Sequence, residues 1–146
     1  MKTKKVTSAA MLVALGVAGS YFIHFPIGVS KCTPVQHIVN VFAGVILGRN
    51  YAVLTAVCIS LIRNILGIGT VLAFPGSVIG AFLAGTFYQV SKRKLLAAAG
   101  EVVGTGIIGA TIAFPLAKFV LGKDVTAFFF VVPFMINAGC GSIIAY

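Results

Sequence analysis

Long apolar runs recur from one end of the chain to the other, separated only by short clusters of basic, glycine or proline residues. The first, from Val6 to Phe25, is about 20 residues long, the length of a helix that crosses a bilayer. A soluble domain hides its apolar runs behind a shell in which about a quarter of all residues are charged. Here 9% of the 146 residues are charged and 60% are hydrophobic. Lipid is therefore the solvent for most of the chain. In lipid every backbone N–H and C=O must be paired internally, which leaves helical bundles and closed barrels. The runs lack the polar–apolar alternation of barrel strands. The expected fold is all-α: one domain, residues 1–146, forming a bundle of six transmembrane helices.

The first helix is expected over Val6 to Phe25, stopped by Pro26 and Gly28. The second runs from Pro34, a residue suited to a first helical turn, to Gly48. The third spans Tyr51 to Leu66, and the fourth starts near Phe74 to Gly76 and ends at the basic loop Ser91 to Lys94. The fifth spans Leu95 to Leu121 with Pro115 inside it, and the sixth runs from Val125 to the end with Pro133 inside it. Helices two and three are short for a hydrocarbon core of about 30 Å, so they are expected within the bundle. The basic head and apolar run at the N-terminus resemble a signal peptide. The run is long enough to span, and the rest of the chain is membranous, so it is read as a retained first helix.

A net charge of +9 would suit nucleic acid if it formed a face or stripe, but the basic residues sit in short clusters between apolar runs. Lys2, Lys4, Lys5, Arg49, Lys92, Arg93 and Lys94 fall in one set of loops, and Lys31 and Lys123 in the other. The bias of basic residues toward the cytoplasm places both termini inside. Cys32, Cys58 and Cys140 have no metal-ligand spacing, and two of them lie in apolar segments, so neither a zinc site nor a disulfide framework is expected.

Polar residues inside apolar segments are expensive and so informative. Gln36, His37 and Asn40 open the second helix on the external side, at spacings of three and four that put them on one face. Arg63 and Asn64 lie a turn from the external end of the third helix, at similar depth. Alone, Arg63 would be read as snorkelling to the headgroups and His37 as an interhelical hydrogen bond. Converging at one depth, the five predict a polar pocket that opens outward and takes a small ligand with several hydrogen-bonding atoms. Glu101 is the one acid within a helix, with Thr105 on its face four residues on. It is either a ligand or proton contact at the pocket floor, or an ion pair with Arg49 or the loop 92–94.

Gly104 to Gly109 reads Gly-Thr-Gly-Ile-Ile-Gly and imitates a nucleotide-binding loop, but no strand precedes it and the lysine of a phosphate loop is absent. These glycines, with Ala110 and Ala113, are expected to let helices approach closely. Ala10, Ala14 and Ala18 recur every four residues and form a smooth stripe on the first helix, either for packing within the bundle or for docking to another membrane protein.

Six short helices with both ends inside, this alanine stripe and the lack of an ATPase resemble the S components of energy-coupling-factor (ECF) transporters. More narrowly, the stretches Pro34 to Asn40, Ser60 to Asn64, Ala73 to Ser77 and Glu101 to Ala110 are similar to the ThiW type, whose proposed cargo is the thiazole precursor of thiamine. The resemblance covers nearly the whole chain. It implies a non-enzymatic, multi-pass subunit of a prokaryotic plasma membrane that captures a vitamin precursor from outside. It would then dock through Ala10, Ala14 and Ala18 on a transmembrane coupling protein with two cytoplasmic ATPases, which use the ATP; no cofactor is expected in this chain. Gln36, His37, Asn40, Arg63 and Asn64 lie in the motifs of this type. Pro75, Gly76 and Ser77 are expected to help close the pocket. The chain departs from the resemblance by stopping at Tyr146 without a basic tail, which implies a shortened sixth helix and makes Asn137 a weaker candidate.

Hydroxyethyl-methylthiazole is a small neutral heteroaromatic alcohol. His37, Asn40 and Asn64 suit its polar atoms and Phe74 could supply a wall, whereas Arg63 is more than a neutral alcohol requires and would equally suit a phosphate or carboxylate. Four other readings stand beside this one. They are an S component for a different vitamin or precursor, a self-sufficient carrier with Glu101 and His37 as proton relay, a membrane enzyme using His37, and a structural assembly partner. No nucleophile–base pair or metal cluster supports the enzyme.

Overall fold

The computed structural model describes residues 2–27, 30–122, 124–126 and 128–146. Among these residues six helices follow one another: α1 (Lys2–Phe22), α2 (Pro34–Ile46), α3 (Arg49–Ile65), α4 (Ala73–Ser91), α5 (Lys94–Val120) and α6 (Val131–Ala145). The all-α expectation holds, with one small addition outside the helices. Between α1 and α2 the chain forms a small antiparallel hairpin, β1 (Phe25–Ile27) and β2 (Ser30–Cys32), with Phe25 opposite Cys32 and Pro26 opposite Lys31. Lys123, which the sequence puts in the last outer loop, lies outside the described residues.

Helices two to five begin and end within two or three residues of expectation. Helix six does not: it starts at Val131 rather than Val125. Pro133 therefore sits in its first turn, where a missing N–H leaves no hydrogen bond unmade, instead of in its interior. Pro115 does lie inside α5, and the turn after it, Leu116–Val120, widens to π geometry. A second π turn covers Gly104–Gly109. Between α2 and α3 the chain reverses at Gly48, whose φ of 88° lies in the left-handed region that a side chain disfavours.

The distribution of residue sizes is inverted relative to a soluble domain. The buried apolar positions are mostly alanines, among them Ala43, Ala52, Ala56, Ala81, Ala84, Ala110 and Ala138. The large side chains point outward: Phe22, Phe119, Phe128 and Ile143 are each more than three-quarters exposed. Small residues inside and bulky apolar ones outside are what lipid selects, because tails solvate leucine and phenylalanine while close helix approach supplies dispersion contact. By length and composition α1 and α5 are each able to cross a membrane, and α2 and α6 are shorter apolar helices.

Helix α4 is central and packs on α2, α3 and α5. Its contact with α5 explains the glycine-rich stretch. A methyl group added at Gly104 would stand 2.7 Å from Gly80 Cα, and one at Gly109 would collide with Gly76 Cα. The two backbones touch there, as expected for small residues in a bundle. Helix α1 is peripheral: it lays Ala9, Gly16 and Ser20 on the bundle and leaves Ala10, Ala14 and Ala18 exposed. The alanine stripe thus does not pack within this bundle.

Candidate functional site

The first turns of α2 and α4, the last turn of α3, the middle of α5 and the start of α6 surround one narrow cavity beneath the hairpin. Gln36, His37, Arg63, Ser77, Thr105 and Asn137 line it, together with Lys31, Thr33, Gly76 and Phe134. Its side chains stand close together. The cavity volume is about 30 Å³, room for roughly two waters at about 10–15 Å³ each, and about 490 Å³ when crevices and the open mouth are counted. A ring-sized ligand fits only if the walls part.

Arg63 is 3% exposed and ends α3. Its Nη1 donates to Gln36 Oε1, while its Nε is buried with no partner among the described residues. Burying an unpaired ion costs several kcal/mol. A position in the last helical turn returns about 0.3–1 kcal/mol through the macrodipole, and one hydrogen bond to a charged group about 1.5–3 kcal/mol. Among the described residues the guanidinium is thus only partly compensated.

From Arg63 a hydrogen-bonded chain runs across the bundle. Gln36 Nε2 donates to Ser60 Oγ at 2.9 Å and to Ser77 Oγ at 2.6 Å. Asn40 Nδ2 donates to the same Ser77 Oγ at 3.1 Å and to Glu101 Oε1 at 3.1 Å. His37 Nδ1 stands 2.7 Å from Glu101 Oε1, and Thr105 Oγ1 lies 3.0 Å from both Glu101 Oε1 and Gly76 O, with one proton for the two. With the Glu101 carboxylate as acceptor, His37 Nδ1 is the donor of this bond. Glu101 is fully buried and its Oε2 has no partner among the described residues.

Glu101 pairs with neither Arg49 nor the loop 92–94. The ring it meets among the described residues is that of His37, while Arg49 lies over the Phe82 ring. Asn40 and Glu101 do not reach the cavity wall; they stand behind His37, Ser77 and Thr105. Asn64 turns away, its Nδ2 donating to Ser60 O at 2.7 Å and Thr70 O at 3.3 Å, so it closes the end of α3. Consecutive helical residues project about 100° apart, so Arg63 and Asn64 cannot share a face. Gly76 and Ser77 line the cavity, while Pro75 and Phe74 do not. The aromatic wall is Phe134 instead, held against Phe130 with centroids 5.9 Å apart.

Sequence reasoning missed the roof. Asn137 Oδ1 accepts from Thr33 N and from Cys32 Sγ, both at 3.0 Å, and so fastens the hairpin end to α6. Burial, with the Cys140 thiol nearby, pushes the Cys32 thiol up to about 11. The signal available was Asn137 itself, a lone amide in an apolar helix that must find a partner.

Residues 6–146 match the family described as thiamine-precursor transporter protein (ThiW). No curated protein and no solved structure matches the chain. The match spans nearly the whole bundle, cavity and roof included, and the chain belongs to the ThiW family of thiamine-precursor transporters.

Proposed function

We propose that this chain is the substrate-capture subunit of an ECF-type importer, and that its cargo is the thiazole precursor of thiamine, hydroxyethyl-methylthiazole. Six helices cross the membrane with both termini in the cytoplasm, so the cavity under the hairpin faces outward. The observation that carries the reading is the cavity itself, in which a phenylalanine wall faces a polar wall backed by a continuous hydrogen-bonded chain. His37 Nε2 accepts the hydroxyl proton of the alcohol, and Phe134 stacks on the heteroaromatic ring. Gln36, Asn40, Ser77, Glu101 and Thr105 hold those contacts in register, while Asn137 keeps the roof.

A coupling protein and two ATPases complete the importer and consume the ATP. The exposed Ala10, Ala14 and Ala18 support such a partner, as does the apolar groove beside them between α1 and α3, lined by Val6, Ala9, Val13 and Leu54. The test is titration of the full chain in detergent with the thiazole alcohol, the hydroxymethylpyrimidine and thiamine. Saturable binding of the thiazole alone, weakened by His37→Ala and Phe134→Leu, supports the reading. Preference for another of the three keeps capture and discards the cargo.

The buried His37–Glu101 pair favours a second reading, a self-sufficient proton-coupled carrier. It predicts uptake in vesicles that lack any ATPase, driven by a pH gradient and abolished by Glu101→Gln. Uptake that needs the ATPase module excludes it.

A further inference from the structure

We propose that the same cavity also takes an anionic ligand, a small ring that carries a carboxylate or phosphate group, and holds it more tightly than the neutral alcohol. This rests on the reading of the cavity as the capture site and names the chemistry of what it captures. Arg63 lines the cavity almost fully buried, and only its Nη1 has a hydrogen bond among the described residues, to the neutral Gln36. Nε, the inner half of the side edge that grips oxyanions in bidentate fashion, has no partner. Lys31 adds a second positive charge at the exposed mouth, and among the described residues no carboxylate lines the wall. Glu101 lies behind the wall, with Oε1 turned to His37, Asn40 and Thr105.

The backbone adds little to this field. Helices α2 and α4, of 13 and 19 residues, both open at the cavity. Neither has an acidic residue in its first turn, and neither N-terminus has a side-chain cap. These two N-terminal ends are opposed by the C-terminal end of α3, and the backbone N–H groups of Gln36, Ala73 and Phe74 already donate to backbone carbonyls, so the half-paired guanidinium carries the preference for an oxyanion. A neutral alcohol would occupy one donor and leave the charge of Arg63 only partly compensated.

The test compares three probes on the full chain in detergent: the thiazole alcohol, the acid in which its CH₂OH is oxidised to a carboxylate, and its phosphate monoester. Inorganic phosphate serves as a fourth. The expected result is that at least one anionic probe binds about tenfold or more tighter than the alcohol. Arg63→Gln should reduce that ratio to near unity, Arg63→Lys should restore part of it, and Lys31→Ala should lower it in a salt-dependent way. Should Arg63→Gln not fold, the wild-type ratio and the effect of the exposed Lys31 decide. An alcohol that binds as tightly as both anions overturns the proposal while leaving thiazole capture standing, as does a preference that persists in Arg63→Gln. If no thiazole binds, the cargo reading fails by itself. The anion site then stands if inorganic phosphate gives saturable, Arg63-dependent thermal protection, and it falls if phosphate gives none.

Discussion

His37 Nδ1 stands 2.7 Å from Glu101 Oε1 and so ties the first turn of α2 to α5 across the face of α4. Asn40 Nδ2 and Thr105 Oγ1 meet the same oxygen. Glu101→Ala removes the acceptor of all these donors, and leaving buried donors unsatisfied costs about 1–3 kcal/mol for each. Glu101→Gln keeps a carbonyl oxygen for the donors, and its expected loss is about 1–2 kcal/mol. Thermal unfolding in detergent separates the two. Equal losses would mean that the hydrogen bonds to Oε1 contribute nothing beyond the charge.

Room for that carboxylate comes from a glycine. A methyl group on Gly80 would lie 2.8 Å from Glu101 Cδ and would also strike Thr105 Oγ1. Overpacking of this kind costs about 1–3 kcal/mol, so Gly80→Ala should lower stability and weaken ligand binding together, by displacing the support of His37. The contrasting site is Gly139 in α6, where an added methyl meets nothing within 4 Å. There Gly→Ala should be neutral or stabilising by up to about 1 kcal/mol. Paired melting curves check both, and equal effects at the two sites would refute the packing argument.

Much of this site was legible because lipid makes each polar residue conspicuous. Gln36, His37 and Asn40 share a face by spacing alone, and Arg63 meets them because short neighbouring helices leave little choice of depth. What stayed hidden depends on contacts with no local signature. Phe134 is one of 12 phenylalanines, and nothing in its neighbours marks it as the one facing the cavity. The partner of Glu101 is set by how α5 slides on α4, which the touching backbones at Gly80 and Gly104 fix only in three dimensions. The hairpin strands are three residues each, too short for alternation to show. The late start of α6 was readable in principle, since Pro133 belongs in a first turn.

The roof should report its own opening. Cys32 is 2% exposed and its thiol is raised from 9.0 to about 11, so below pH 9 it is both covered and protonated. Between 9 and 11 the unfolded chain releases that proton while the folded chain keeps it. This contribution to stability is therefore constant below pH 9 and declines as pH rises toward 11. Alkylation of Cys32 at pH 7.5 should accordingly be slow in the folded protein. Asn137→Leu leaves Thr33 N–H without its acceptor, a loss of about 1–3 kcal/mol, and should speed labelling about tenfold or more. Mass spectrometry of the labelled peptide reads the rate. A rate unchanged by Asn137→Leu would show that the amide does not hold the hairpin down.

Docking and capture should separate at α1. Ala14 is exposed and stands away from the cavity, in the middle of the stripe that leaves the helix surface smooth. A bulky side chain there cannot disturb the bundle, but it would prop apart any helix seated on the stripe, since small-residue faces work by letting backbones approach. In the proposed importer Ala14→Trp should therefore keep wild-type ligand affinity in detergent while ATP-driven uptake in cells carrying the coupling module falls by an order of magnitude. Copurification of the coupling protein with the tagged chain should fall in parallel. Uptake and copurification that survive Ala14→Trp would remove the stripe from the docking surface, and the groove between α1 and α3 would then have to be tested on its own by Val13→Trp.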